Sequence, residues 1–374
     1  MIPHSRPCIE EDDEAAVLSV LRSGHLVQGE KIADLEAALV RLLTSWETTP
    51  KVHSSEVPDV MLRAAAVSSG TTALQLTLLA LDIGPGDEVV IPSYVCAALW
   101  HAVRATGATP VLADCDGHTF NICPVDAKKR LTDRTRAIIV PHLFGQAADL
   151  DSLLVLGVPV IEDCAQSLGS LYRGRPTGSF GVASVFSFYA TKVIAAGEGG
   201  MVVSRDNRLI SRIRDLRDYD EKDDLSFRLN AKLTDLQGAL ARSQLGKLRA
   251  FIARRRTIAG RYDRVLDHCG LTPPHRREDR DHIFFRYVFL TEAAEAFMTA
   301  MENRGVVCRR PVFRPLHRYL GQTGFCMTDK IWQRAVSIPL YPDLTEEEIA
   351  FVETALEESG RVILGGSAER RISS

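Results

Sequence analysis

The sequence predicts an α/β fold: a mostly parallel β-sheet with helices on both faces, followed by a smaller α+β unit. Three observations carry that expectation. From Gly84 to Glu162, short apolar runs alternate with segments of helical spacing, the pattern of a parallel sheet whose crossovers are helices. A chain of 374 residues is long for one core and suggests two domains. A composition break at Pro273-Pro274-His275 and the charged stretch Arg276 to Asp281 then precede a second set of elements. We place a larger unit at residues 1–250 and a smaller one at residues 251–374.

Composition narrows the partners. A hydrophobic fraction of 45% with 25% charged residues is that of a soluble globular chain, and a net charge of -3 gathers neither nucleic acid nor an anionic membrane. The eight cysteines (Cys8, Cys96, Cys115, Cys123, Cys164, Cys269, Cys308 and Cys326) form no CxxC pair and no zinc-ligand spacing, and read as reduced core residues. Met1 to Pro7 lacks a signal-peptide pattern and no apolar run is long enough to span a bilayer, so the cytoplasm is the expected location.

Residues Glu10 to Ser23 hold apolar positions at Ala16, Val17, Val20 and Leu21, a helical spacing that Gly24 stops. A second amphipathic helix is expected over Lys31 to Leu43, after Gly29. From Thr44 to Asp59 the chain turns polar and carries Pro50 and Pro58, which reads as a loop or insertion. The run Ala64-Ala65-Ala66-Val67 is a short strand, Ser68-Ser69-Gly70-Thr71-Thr72 a small-residue turn, and the residues to Leu81 a helix apolar nearly all round. Such a turn sets unpaired N–H groups at a helix N-terminus, where an anion is stabilised. The same residues also make an ordinary helix cap.

Strands are expected at Glu88 to Pro92, Thr109 to Ala113, Ala137 to Pro141 and Val158 to Glu162, with helical segments between them at Ala97 to Thr106, Ala127 to Leu131 and Ser152 to Leu156. Ligands in such sheets sit beyond the carboxyl ends of the strands. Two segments fall there, Pro141-His142-Leu143-Phe144-Gly145 and Glu162-Asp163-Cys164-Ala165-Gln166-Ser167. Asp163 closes an apolar run, so its carboxylate is expected to be buried and to need a partner. A protonated heterocyclic nitrogen would supply one; capping the next helix is the plainer use.

From Ser184 to Val203 an alternating apolar strand enters a polar turn carrying Lys192, then the bend Gly197-Glu198-Gly199-Gly200, then a second strand opening Met201-Val202-Val203. A lysine held there among aromatic side chains is partly desolvated, which lowers its pKa and frees the amine to attack a carbonyl. A surface lysine in a hairpin loop shares the local pattern. Next come a basic helix from Arg205 to Arg217, an acidic loop from Asp218 to Asp224, and a lead-in from Arg228 to Gln237 into a helix passing Ala250. Arg254-Arg255-Arg256 reads as a solvated helix face rather than a nucleic-acid patch. The second unit is expected to hold strands near Phe284 to Leu290 and Val306 to Arg309, a helix at Glu292 to Arg304, and a last helix opened by the capping box Thr345-Glu346-Glu347-Glu348, with a frayed tail after Leu364.

The order of these signals matters more than any one of them. With Leu26-Val27-Gln28-Gly29, Ser68-Ser69-Gly70-Thr71, Gly84-Pro85-Gly86-Asp87-Glu88-Val89, Glu162-Asp163-Cys164-Ala165-Gln166-Ser167, Phe186-Ser187-Phe188-Tyr189-Ala190-Thr191-Lys192, Gly197-Glu198-Gly199-Gly200, Pro315-Leu316-His317 and Ser337-Ile338-Pro339-Leu340, nearly the whole chain resembles the DegT/DnrJ/EryC1/StrS sugar aminotransferases. These are pyridoxal-phosphate enzymes of the aspartate aminotransferase fold, fold type I, with a mostly parallel seven-stranded sheet. The resemblance implies that Lys192 carries pyridoxal 5'-phosphate as a Schiff base and shuttles the proton, and that Asp163 keeps the ring nitrogen protonated. It further implies that Gln166 bonds the ring hydroxyl region and that Gly70, Thr71 and Ser187 hold the phosphate. Asn230 of a neighbouring subunit would join them, so a homodimer is implied.

Three departures from the family pattern stand out. Cys96 occupies the position of an aromatic that stacks on the ring, with Tyr94 the nearest substitute; Asn230-Ala231-Lys232 replaces an Asn-aromatic-Arg motif; and Thr44 to Asp59 is longer than the usual link. Lysine is a point charge and cannot fork onto a carboxylate as arginine does. The expected reaction is transfer of an amino group, with glutamate the donor, to a keto sugar, nucleotide-linked, in amino-sugar, secondary-metabolite or cell-surface glycan synthesis. A keto-cyclitol aminotransferase, a sugar dehydratase on the same fold, and a non-catalytic sensor are the alternatives. No metal, nucleic acid or membrane is expected.

Overall fold

A computed structural model describes residues 1–45 and 61–372 of the chain. In order these form α1 (Glu11–Ser23), α2 (Glu30–Ser45), β1 (Arg63–Val67), α3 (Gly70–Ala80), β2 (Glu88–Pro92), α4 (Ala98–Ala105), β3 (Thr109–Ala113), α5 (Pro124–Lys129), β4 (Thr135–Pro141), α6 (Leu150–Leu154), β5 (Val160–Asp163), the small hairpin β6 (Leu171–Tyr172) and β7 (Arg175–Pro176), β8 (Ala183–Ser187), β9 (Gly200–Ser204) and α7 (Asn207–Leu216). The long α8 (Asp235–His268) leads to β10 (Tyr287–Leu290), α9 (Ala294–Asn303), α10 (Leu316–Tyr319), α11 (Cys326–Arg334), β11 (Ala335–Ile338) and α12 (Glu346–Ile372).

Seven strands make one sheet in the order β1-β9-β8-β5-β4-β2-β3. Every pairing is parallel except those of β9, which runs against both β1 and β8. The cause is local. β8 and β9 are joined by residues 188–199 without a crossover helix, and a short link of that kind returns a strand antiparallel.

Period-two alternation divides the strand residues between two layers. Val67, Ile91, Ile139, Ile161, Val185 and Val202 face a core shared with α3, α4 and α7. Ala64, Ala66, Phe186, Met201 and Val203 face α2 and the first half of α8. Further along α8, Ile258, Tyr262 and Leu266 join a separate core with β10, β11, α9 and α12. The chain therefore passes from one core to the other inside a continuous helix, and residue 250 lies within it.

Several expectations need correcting. Val306 to Arg309 is no strand: Val306 bridges Ile2 and Arg309 bridges Ser337, each as an isolated pair. α12 runs on to Ile372, past the point where composition suggests fraying. Its capping box is made: the Thr345 N–H donates to Glu348 Oε2 at 3.0 Å and the Glu348 N–H to Thr345 Oγ1 at 3.1 Å. Four cysteines are core residues, but Cys8 and Cys123 are half-buried and Cys96 and Cys326 exposed. Beyond Ser45, where α2 ends, the polar stretch Thr44 to Asp59 lies outside the described residues. Among the described residues no helix is long and apolar enough to cross a membrane.

Candidate active site

The parallel strands bring their carboxyl ends to one edge of the sheet, and the reversed β9 brings its N-terminus to the same edge. Register sets Gly200 beside both Val67 and Ser187, so the turn after β1 meets the end of β8. The fit is close. A Cβ on Gly200 would lie 2.4 Å from the carbonyl carbon and oxygen of Ser69, and one on Gly70 would lie 2.9 Å from Cβ of Ser187. Ser69 caps α3 by accepting the Thr72 N–H at 3.1 Å. Among the described residues, the N–H groups of Gly70 and Thr71 have no acceptor. Free donors at a helix start, with the Ser187 hydroxyl beside them, could hold a phosphate.

Asp163 ends β5 and is only 8% exposed. Its Oδ1 accepts the Ala165 N–H at 3.0 Å, while Oδ2 has no partner among the described residues. Burial raises its pKa, against the opposing pull of that N–H, Lys192 and His142. It is a carboxylate short of positive charge, which a protonated ring nitrogen would provide. Its neighbour Glu162 is the opposite case. Glu162 accepts the N–H groups of Gly178 and Phe180 at 2.7 Å and of Gly181 at 2.8 Å, and lies 3.1 Å from His142 Nε2. His142 Nδ1 accepts the Ala148 N–H at 3.0 Å, so Nε2 bears the proton and donates it to Glu162. Burial works to raise the Glu162 pKa, yet these bonds hold it below the usual value.

The Lys192 link is braced by its own backbone: the Phe188 N–H donates to Gly199 O (2.9 Å), Ala190 to Gly197 O (3.0 Å), Ala196 to Phe188 O (2.8 Å) and Lys192 to Tyr189 O (2.8 Å). Gly197, at φ 77, makes the left-handed step that closes the bend. Lys192 is half-buried in a narrow crevice, with Nζ 5.3 Å from the centroid of the Phe285 ring. Desolvation lowers its pKa; Cys96 and Asp163 pull it back up, and Arg286 pushes it further down. The amine is thereby biased toward its nucleophilic form.

The remaining residues singled out in the sequence fall at or near this edge. Gln166 Oε1 accepts the Phe144 N–H at 2.9 Å, in the turn after Asp163. Cys96 follows β2 and is exposed, near enough to Lys192 and Asp163 for their charges to act on its thiol. Tyr94 cannot stand in for the missing ring: it is fully buried, 6.4 Å from both Phe120 and Phe144 between centroids. Lys232 is neutralised by Asp218 and, at 2.9 Å, Asp220. Asn230 is exposed, and since Ala231 O accepts the Ser68 N–H at 2.9 Å, its backbone stands beside its own chain's cradle.

Two motifs turn out to hold the frame. Gly29 of Leu26-Val27-Gln28-Gly29 donates its N–H to Asp235 Oδ1 at 2.8 Å, and Asp235 also takes the N–H groups of Lys31 and Ile32, which caps α2. In Pro315-Leu316-His317, His317 Nδ1 lies 2.7 Å from Ser93 Oγ, tying α10 to the end of β2. Sequence reasoning missed the His142–Glu162 pair and Arg286. A histidine following the β4 strand end was the available signal for the first; nothing local marked the second.

Taken together, the donor set fits pyridoxal phosphate: a glycine cradle that a Cβ would fill, a buried carboxylate with one oxygen unpaired among the described residues, and a desolvated lysine. A model of the DegT/DnrJ/EryC1/StrS aminotransferase family matches residues 7–357. GDP-perosamine synthase of Caulobacter vibrioides is 34% identical over 316 residues, 79% of this chain and 85% of the relative. Among solved structures, S. venezuelae DesV superposes with a TM-score of 0.82 at 32% identity, covering 93% of this chain and 94% of that one. The PLP form of a sugar aminotransferase, Spr1654 from Streptococcus pneumoniae, superposes with a TM-score of 0.86 at 25% identity, covering 97% and 99%.

Proposed function

This chain belongs to the DegT/DnrJ/EryC1/StrS aminotransferase family, and on that premise we propose that it moves an amino group from glutamate onto a nucleotide-linked keto sugar. It is a pyridoxal-phosphate-dependent transferase of fold type I. The observation that carries the reading is the juxtaposition of desolvated Lys192 with charge-poor Asp163 beside the Gly70–Gly200 cradle. The nucleotide-linked sugar is supported by a relative named for GDP-perosamine.

When bound, pyridoxal phosphate supplies an electron sink for the electron pair left as a substrate carbon loses its proton. Lys192 would hold the cofactor through Nζ, and its amine, when free, would carry the proton at the substrate carbon. Asp163 would keep the ring nitrogen protonated and Gln166 would orient the ring hydroxyl. Gly70, Thr71 and Ser187 would hold the phosphate, and Cys96 would stand on the side where related enzymes stack an aromatic. We assign cofactor binding to residues 1–250, a smaller covering unit to residues 251–374, and the reaction to the cytoplasm.

We place the enzyme in a homodimer whose neighbouring site takes Asn230. Support comes from apolar side chains left in water on the same segment and its surroundings, Tyr189, Tyr219, Leu225 and Phe227. A surface of that kind suits a second subunit.

The test is direct. Purified protein should be yellow, and Lys192→Ala should remove that absorption and at least about a thousandfold of the turnover. Mass spectrometry of the product formed from glutamate and a panel of nucleotide-linked keto sugars, with keto-cyclitols as the second panel, names the acceptor. A colourless protein that stays colourless with added cofactor ends the reading. Deoxy product without consumption of glutamate would instead make the enzyme a dehydratase, against which the retained Lys192 argues.

A further inference from the structure

We propose that Arg286 is the cation that takes a carboxylate of the amino donor, a task Lys232 is not free to perform; the inference rests on the aminotransferase reading above.

Arg286 directly precedes β10 and is half-buried. Its N–H donates to Phe144 O at 3.4 Å, and Nη1 donates to Nδ1 of His4 at 3.1 Å and to His4 O at 3.5 Å. Neither acceptor is an anion. Burial pushes the His4 pKa down to about 3, with Arg286 and Arg309 adding to the effect, so the ring is neutral near pH 7. His4 Nε2 then donates to Ser337 Oγ at 2.9 Å. Burial lowers Arg286 itself to about 10, which leaves it charged.

Among the described residues no carboxylate pairs with Arg286, whereas Arg6, Arg214, Arg228, Arg261 and Arg310 each hold one. A partly desolvated guanidinium without an anion costs stability, and a ligand carboxylate would offset that cost with charge-assisted bonds. The fork geometry suits a carboxylate better than an ammonium does.

Position agrees with chemistry. Lys192 Nζ and Arg286 Cζ stand 5.3 and 5.0 Å from the centroid of one ring, Phe285, and both line the same small cavity. Phe144, which holds the Arg286 N–H, is itself held by Gln166 at the Asp163 turn. The two segments meet in left-handed backbone at non-glycine residues, Phe144 at φ 58 and Phe284 at φ 52, and the Ile283 N–H donates to Gly145 O at 2.9 Å. Strain of this kind persists where packing around a site over-determines it. An amino acid exchanging its nitrogen with Lys192 would bring its carboxylates to this corner.

Binding of glutarate, which is glutamate without the amine, to the cofactor-loaded protein by calorimetry tests the assignment. Arg286→Gln should weaken binding about thirtyfold or more, and Arg286→Lys by less, as expected when charge-assisted bonds are lost. In single half-reactions followed by cofactor absorbance, Arg286→Gln should raise the glutamate requirement and leave the keto-sugar step unchanged. The proposal is overturned if wild type does not bind glutarate, if Arg286→Gln binds it as wild type does, or if Lys232→Ala causes the loss instead. Should glutarate bind through Arg286 while no amino acid changes the absorbance of wild type, the aminotransferase reading fails and the carboxylate site stands.

Discussion

Gly200 lies against the backbone of Ser69 so closely that a Cβ there would sit 2.4 Å from the Ser69 carbonyl. The start of β9 and the cap of α3 are therefore one piece of structure. Gly200→Ala must push the α3 N-terminus off the sheet edge. We expect a loss of about 1 to 3 kcal/mol, as for other overpacked sites, in urea unfolding, together with weaker cofactor uptake in a fluorescence titration of stripped protein. Gly246, inside α8 with nothing within 4 Å of its would-be Cβ, is the control. Its replacement by alanine should stabilise by about 0.5 to 1 kcal/mol. Equal effects at both glycines would contradict the close approach.

Asp163 predicts opposite signs with and without cofactor. Its pKa in the folded protein is raised by burial, so the folded state binds the proton more tightly than the unfolded one, and the site costs stability as pH rises through that raised value. Cofactor-free Asp163→Asn should be more stable than wild type at pH 8, with the difference vanishing at acid pH. In the loaded enzyme the same change should cost turnover about a hundredfold or more. A variant that lost stability in both states would show Asp163 to be a framework residue.

Lys192 predicts a second pH trend. Desolvation depresses its pKa below the ordinary 10.5, so below the depressed value the protonated amine is a burden on the fold. That burden lifts as pH rises through it, since the unfolded state then binds more protons. Cofactor-free Lys192→Met should be more stable than wild type near neutral pH, and the gain should shrink in alkaline solution. A pH-independent difference between the two proteins would place the amine in bulk solvent.

Asn230 and Lys192 test the shared site. If the partner's Asn230 completes each cradle, then mixing Lys192→Ala with Asn230→Ala subunits makes mixed dimers that contain one intact site. About a quarter of wild-type activity should return when subunits assort at random. No recovery on mixing would assign Asn230 to its own chain's cradle, where its backbone lies beside Ser68.

Much of this protein was legible in one dimension. Strand runs such as Glu88 to Pro92 and Thr109 to Ala113 match β2 and β3 residue for residue, because parallel strands covered by helices on both faces leave short, nearly continuous apolar runs. Lys192, Asp163, Gly70 and Ser187 could be named because strand ends and small-residue turns are local features, and their order along the chain carried the family resemblance. Tertiary structure decided what depends on who sits opposite. It sealed Tyr94 in the core and left Cys96 exposed, gave Lys232 to the acidic loop, and set Gly200 against Ser69. Arg286 is the clearest case. Its neighbours His4, Phe144 and Lys192 come from three distant parts of the chain, and a guanidinium without an anion is a property of the fold, invisible until all three are brought to one corner.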